Sequence, residues 1–352
     1  MFTFLRRRLA ERAVRASRQQ AALDPEVQSG APSRPDPQQV LRRLEWTVIK
    51  RLDGQLQGDY RSLFRGAGLV LADLREYQSH DDVRHIDWNV TARMQTPYVR
   101  EHQEDREVAA WFLVDLSGSV HFGSGAVSKR QLAAEAVTVL ARLLSQHGNR
   151  VGVMLFSGTQ VRAEVVVPAR SGRRHLLHVL QLMLSDLPTA GTRPTAGITA
   201  GTTAGKTTDL RVLLSQAQAV IRRRASIFLV SDFITQPDWH APLSQLARRH
   251  EVVAIRLRDR LEQEIPNVGL VLMQDAETGE QLLVDGNDGG FRARFTQIAA
   301  ERENLLREGL TRAGVDCLEL TTDEPLDQAI LRFTQLRKRA SQMAQGAGAA
   351  RA

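Results

Sequence analysis

A single cysteine, Cys317, occurs in the 352 residues. One thiol cannot build an intramolecular disulfide, and its setting Val315-Asp-Cys-Leu-Glu-Leu320 reads as a buried strand with the thiol as a small core hydrophobe. Long apolar runs are missing as well. None approaches the roughly 18 residues that a membrane span needs. The start, Met1-Phe-Thr-Phe-Leu-Arg-Arg-Arg8, places its apolar residues ahead of its charges, the wrong order for a secretory signal. A reducing, cytoplasmic setting is the expectation. Acid is missing from one end, since residues 331–352 contain no Asp or Glu. Much of the net charge of +7 lies there and in Arg6–Arg8, and basic ends of this kind are commonly solvated tails. Binding of nucleic acid or an anionic surface through those ends is therefore the alternative function rather than the leading one. The nine histidines show no metalloprotease spacing, and His175 with His178 reads as a surface pair on one helical turn.

What is present is an alternation of strand and helix. Residues 1–37, rich in Arg, Gln, Ala, Ser and Pro, read as a mobile leader. Leu41, Leu44, Val48 and Leu52 then recur at helical spacing. Residues 53–107 are too polar to form a core alone, so residues 38–107 read as an accessory segment that should pack on the domain C-terminal to it. From Val108 to Val114 runs a near-continuous apolar strand. Val151–Phe156, Val161–Val167, Ser226–Val230, Val252–Ile255 and Val315–Leu320 supply further strands. Between them lie amphipathic helices: one capped by Ser128, one around Leu176–Leu184 and one entered at Asp209. Continuous apolar strands separated by such helices predict an α/β fold with a doubly wound, mainly parallel sheet covered on both faces. Residues 270–290 read as a β-hairpin insert. A charged helix comes next, from about Arg292 to Arg312, and residues 323–352 form a last helix and a basic tail. The Thr-, Ala- and Gly-rich stretch between Ser185 and Thr208 reads as a loop.

In a doubly wound sheet, ligands gather beyond the carboxyl ends of the strands. Three polar elements fall there: Asp115, Ser117 and Ser119 after the first buried strand, Thr207-Thr208-Asp209 at a helix entrance, and Asp232 after Ser231. A hard divalent cation takes oxygen ligands, and Mg²⁺ keeps several waters while accepting few protein oxygens. Two hydroxyls at i and i+2 on a turning loop can reach one Mg²⁺ or Mn²⁺ together, with carboxylates behind them. Such an ion stays electrophilic and can accept a carboxylate from another molecule. The same residues would also suit caps and turns, and either Thr207 or Thr208 could be the ligand.

Asp115-Leu-Ser-Gly-Ser119, Thr208 and Asp232 resemble the metal-ion-dependent adhesion site of the von Willebrand factor A family, whose pattern is Asp-x-Ser-x-Ser, a distant Thr and a distant Asp. The resemblance implies a von Willebrand factor A-like domain over residues 108–322, with these five positions as metal ligands. Upstream, Leu74-Arg-Glu-Tyr-Gln-Ser-His-Asp-Asp-Val-Arg-His-Ile-Asp-Trp-Asn-Val-Thr-Ala-Arg93 resembles the signature of the domain of unknown function 58 family, with His80 where a Gly is usual. Asn149–Ser157 and Glu277-Thr-Gly-Glu280 extend the likeness to roughly residues 40–335. That family is often linked with MoxR-type AAA+ ATPases, which implies an adaptor or chaperone-associated role. Many relatives carry N-terminal membrane helices that this chain lacks, implying a soluble form. The dense Arg75, Asp81, Asp82, Arg84, Asp87, Trp88 and Arg93 can brace the segment through charge-assisted hydrogen bonds, or Asp87-Trp88 can contact a partner.

Enzyme readings fare worse. Gly205-Lys206-Thr207 lacks the Gly that a phosphate loop needs at position 200, where Ala200 stands. A metal-dependent phosphatase using Asp115 as nucleophile would want a second acid at position 117, which is Ser117. The leading expectation is a non-enzymatic, metal-dependent protein-interaction module whose partner offers an acidic side chain.

Overall fold

The computed structural model describes residues 36–56, 73–78, 83, 86, 88–101, 109–125, 127–158, 163, 165–185, 208–274 and 281–349. The expected leader up to residue 35, the stretch 186–207 with Thr207, and the signature residues Asp81, Asp82, Arg84 and Asp87 lie outside them.

Asp36 caps the first helix, α1 (Pro37–Leu44), by accepting from the Gln38 N–H at 3.0 Å, with Pro37 at the first helical position. A π-helical turn over Glu45–Ile49 joins α1 to α2 (Lys50–Gln55). The extra residue in that turn shifts the apolar stripe, so Leu41, Leu44, Ile49 and Leu52 are buried and Val48 is only partly so. A small antiparallel pair, β1 (Asp73–Glu76) and β2 (Tyr98–Glu101), flanks α3 (Trp88–Met94). Trp88 and Arg93 on that helix are exposed.

The main sheet has six strands: β3 (Ala110–Asp115), β4 (Val151–Phe156), β5 (Val165–Arg170), β6 (Ser226–Ser231), β7 (Glu251–Arg258) and β10 (Asp316–Thr321). Their spatial order is β10-β7-β6-β3-β4-β5. All neighbours are parallel except β5, which runs antiparallel on the edge beside β4. Every residue of β3, β4 and β6 is buried, as strands covered on both faces require. Alternate residues then feed two cores. Phe112, Val114, Val153, Phe228 and Ile255 point to one layer with α1, α2, α4 (Lys129–Gln146), α5 (Arg173–Leu184) and α9 (Leu326–Ala349). Trp111, Leu113, Met154, Ile227 and Leu229 point to the other, with α6 (Leu210–Val220), α7 (His240–Arg249) and α8 (Gly289–Ala313). Trp111 lies flat against β4 because position 152 is glycine; a Cβ there would come within 2.7 Å of the indole.

The insert forms an antiparallel pair, β8 (Leu270–Gln274) and β9 (Gln281–Asp285). Two expectations need correcting. His175 is not half of a surface pair: its Nε2 lies 2.7 Å from the Val151 carbonyl, while His178 is exposed. The basic end is largely helical, because α9 continues to Ala349. Arg332 and Arg337 on it pair with Glu324 and with Glu251 and Asp316, so part of the basic excess is held in ion pairs. Among the described residues no helix is long and apolar enough to cross a membrane.

Candidate metal centre at the switch point of the sheet

β3 is followed in chain order by β4 on one side, whereas β6 lies on its other side. The crevice beyond the carboxyl ends of β3 and β6 is thus the topological switch point, where a doubly wound sheet leaves room for a ligand. Val114 pairs with Val230, which brings Asp115, the last residue of β3, level with Ser231, the last of β6.

Asp115 is fully buried, and each carboxylate oxygen has a donor. Oδ1 accepts from the Ser117 N–H at 3.0 Å and Oδ2 from the Ser231 hydroxyl at 2.7 Å. Burial raises this carboxyl, the negative charge of Asp232 raises it further, and the Ser231 and Ser117 donors oppose both, leaving it at about 6. After Leu116 the chain turns into a short 3-10 segment, Gly118–His121. That turn folds Ser119 back on Ser117, so the two buried hydroxyl oxygens stand 3.2 Å apart.

Thr208 arrives from the opposite side. Its carbonyl accepts from the Thr235 hydroxyl at 2.7 Å and the Gln236 N–H at 3.0 Å, anchoring the entrance of α6 to the loop after β6. Asp209 caps α6 and also pairs with Arg211. Gly158, at φ +81°, lies between these groups: a Cβ there would approach the Thr208 Oγ1 to 2.8 Å and the Ser117 Cβ to 3.3 Å. Thr208 and Ser117 are therefore brought to one place, and only glycine fits between them.

Asp232 follows β6 directly. Its Oδ1 accepts from the Ile234 N–H at 3.0 Å, and its Oδ2 from the Lys129 ammonium at 2.7 Å. Lys129 is wholly buried and also bonds Glu262. Burial would lower the Lys129 ammonium, but the carboxylates of Asp232 and Glu262 hold it above its ordinary value. The loop after β6 carries two of the three non-glycine residues with positive φ among those described, Phe233 and Asp238. The Phe233 N–H is held by Ser231 Oγ at 2.9 Å and its ring by Trp239, 5.2 Å between centroids. A groove of about 540 Å³ opens beside Asp232, between Phe233, Ile234 and Trp239 on one wall and Leu305 and Leu306 of α8 on the other.

All five residues singled out in the sequence thus stand at this one edge. Ser231, Lys129, Glu262 and Gly158 join them unannounced. Lys129 is 103 residues from Asp232 and 133 from Glu262, so spacing gives no hint of the contact. The one local signal is electrostatic, since a cation at the first position of a helix opposes the helix dipole.

Could these groups hold a cation? No cluster of three or more His, Cys, Asp or Glu side chains with metal-binding arrangement occurs among the described residues. A cation would therefore depend on hydroxyls, and the donor set fits a hard ion: cis oxygens around octahedral Mg²⁺ stand about 3 Å apart, close to the Ser117–Ser119 spacing. Counting Asp115, Asp232 and Glu262 against Lys129, the ionised cluster carries two uncompensated negative charges, which one divalent ion balances.

Among known proteins, the family described as "Protein of unknown function DUF58" matches residues 73–305. An uncharacterized protein of Mycobacterium tuberculosis is 37% identical over 300 residues, covering 85% of this chain and 89% of the relative. A protein of Paracoccus denitrificans, named as an uncharacterized protein in the moxR 3′ region, is 31% identical over 100 residues, 28% of this chain and 94% of its own. Among solved structures, BatB from Bacteroides thetaiotaomicron matches with 14% identity and a TM-score of 0.39, over 66% of this chain and 99% of that one.

Proposed function

For this chain, which belongs to the DUF58 family of proteins of unknown function, we propose a metal-dependent protein-interaction module of the von Willebrand factor A-like kind, and not an enzyme. The observation that carries the reading is the pair of buried hydroxyls, Ser117 and Ser119, 3.2 Å apart in front of Asp115 at the switch point of the sheet. Ser117, Ser119 and Thr208 would hold Mg²⁺ or Mn²⁺ through neutral oxygens, with Asp115 and Asp232 supplying charge directly or through water. A cation held there would supply Lewis acidity toward an incoming carboxylate, because hydroxyl ligands are neutral and would leave a coordination position for that group.

The chain's own groups then orient and select. Ser231 and the Ser117 N–H fix the Asp115 carboxylate, and the Ile234 N–H with Lys129 fixes Asp232. The braced loop after β6 forms one wall of the adjoining groove, which suits an apolar side chain next to the partner's Asp or Glu. The same donors hold Asp115 and Asp232 in orientations suited to an ion, and no catalytic role is proposed for either. The name of the Paracoccus relative supports a MoxR-type AAA+ ATPase as the candidate partner; the setting proposed for the pair is cytoplasmic. Mn²⁺ titration by calorimetry tests the reading: wild type should bind one ion and Ser117→Ala/Ser119→Ala should lose at least tenfold in affinity, about 1.4 kcal/mol. Equal binding by both proteins would refute the site.

A further inference from the structure

Lys129 is out of place by every local rule. It opens α4 immediately after the Ser128 cap, where the helix dipole disfavours a cation. Its side chain is 0% exposed, although lysine is almost never fully buried unless paired. Its ammonium donates to Asp232 Oδ2 at 2.7 Å and to Glu262, and it stands 6.0 Å from the centre of the Phe122 ring. Phe122 closes over it from the loop that carries Ser117 and Ser119, and the Phe122 carbonyl accepts the Lys129 N–H at 2.9 Å. Glu262 is itself fixed, because its carboxylate accepts from the Asp259 N–H in a capping box.

This arrangement performs two tasks at once. It fixes the orientation of Asp232 with no ion present, and it places a positive charge beside a carboxylate that an incoming cation would share. A divalent ion entering beside Asp115 would therefore meet a site in which one of the three carboxylate charges is already balanced. Loss of the ammonium would leave Asp115, Asp232 and Glu262 uncompensated, strengthening the attraction for a cation and destabilising the metal-free protein.

We infer that Lys129 is an internal counter-cation: it keeps the site assembled without metal and holds down its affinity for divalent ions by competing for the charge of Asp232. The inference rests on the metal-binding reading of the site. It assigns Lys129 a positioning and affinity-setting role, with the ion itself coordinated by other residues.

The test uses the full chain and Mn²⁺ alone, titrated into wild type, Lys129→Met, Lys129→Arg and Glu262→Gln, with thermal unfolding followed in EDTA and in Mn²⁺. Lys129→Met should bind Mn²⁺ about tenfold more tightly than wild type, because a repelling charge has been removed from the neighbourhood of the ion. It should unfold several degrees lower than wild type in EDTA and recover most of that loss in Mn²⁺. Lys129→Arg keeps the charge and should stay near wild-type affinity. Glu262→Gln leaves the ammonium to Asp232 alone and should weaken Mn²⁺ binding several-fold, which keeps the idea testable if Lys129→Met does not fold. Mn²⁺ binding by wild type with no gain in Lys129→Met, or with no loss in Glu262→Gln, overturns the counter-cation. Absence of Mn²⁺ binding by wild type overturns the metal reading itself, and this inference with it.

Discussion

Asp115 and Asp259 are both buried carboxylates at the carboxyl edge of the same sheet, yet their surroundings treat them in opposite ways. Asp259 follows β7 and is 1% exposed. Its oxygens accept from the Ser124 N–H at 2.8 Å, the Leu261 N–H at 3.0 Å and the Thr322 hydroxyl at 2.8 Å, tying together three strand-end loops. Burial pushes its carboxyl up, but the Ser124, Leu261 and Thr322 donors outweigh burial and hold it below the ordinary range. Asp115 has two donors and a second carboxylate beside it, and is pushed up to about 6 by burial and by the Asp232 charge. Donors complete the first site, whereas the second is left short of positive charge. A buried carboxylate at a strand end is thus structural when donors saturate it and ready for a cation when a like charge remains unbalanced.

The largest expected effect tests the structural half. Asp259→Ala strands three donors and should cost about 3 kcal/mol in urea unfolding, equally in EDTA and in Mn²⁺. Its pH dependence has a definite sign. A carboxyl whose folded value is depressed contributes stability that is present above about pH 4 and lost as pH falls through the folded value. The gap between wild type and Asp259→Asn should therefore narrow below pH 4. A gap that stays constant down to about pH 2.5, well under the ordinary carboxylate range, would mean the charge of Asp259 adds nothing to its hydrogen bonds.

A smaller effect, of opposite sign, tests the other half. Asp115→Asn keeps an acceptor for the Ser117 N–H and removes the repulsion with Asp232. In EDTA it should be as stable as wild type or more stable by about 1 kcal/mol, while losing all stabilisation by Mn²⁺. A marked loss of stability in EDTA would make Asp115 a second Asp259 and erase the contrast.

The smallest effect concerns a partly buried group away from the candidate metal site. Cys317 on β10 is half-buried in its strand, and burial, reinforced by the Glu319 charge, pushes its thiol up to about 12. A disulfide reagent at about pH 8 should modify the native protein about a hundredfold more slowly than the urea-unfolded chain. Comparable rates would show that this edge of the sheet opens readily and that burial on this side of the molecule protects little.

Much of this protein was legible one segment at a time. The near-continuous apolar runs read at 108–114, 151–156 and 226–230 coincide closely with strands because burial on both faces leaves no polar position to alternate. Ser128 and Asp209 mark helix starts because a short oxygen side chain satisfies orphan N–H groups, whereas the long helix expected from about Arg292 begins earlier, at the Asp288 cap. Asp115, Ser117, Ser119, Thr208 and Asp232 could be named because each follows a strand or precedes a helix, and strand ends are where such sheets bind. Features set by neighbours distant in sequence could not be read in that way. The π-helical turn that moves burial from Val48 to Ile49 answers to the packing of α1 and α2 on the core. The Ser231 hydroxyl reaches Asp115 only through the β3–β6 register, and Gly158 acquires its role only where Thr208 and Ser117 meet. Lys129 looks like one more solvated lysine until the fold brings Asp232 and Glu262 to it, because sequence patterns record local periodicity and capping, whereas the pairing of buried charges is decided by which chain ends the sheet topology brings together.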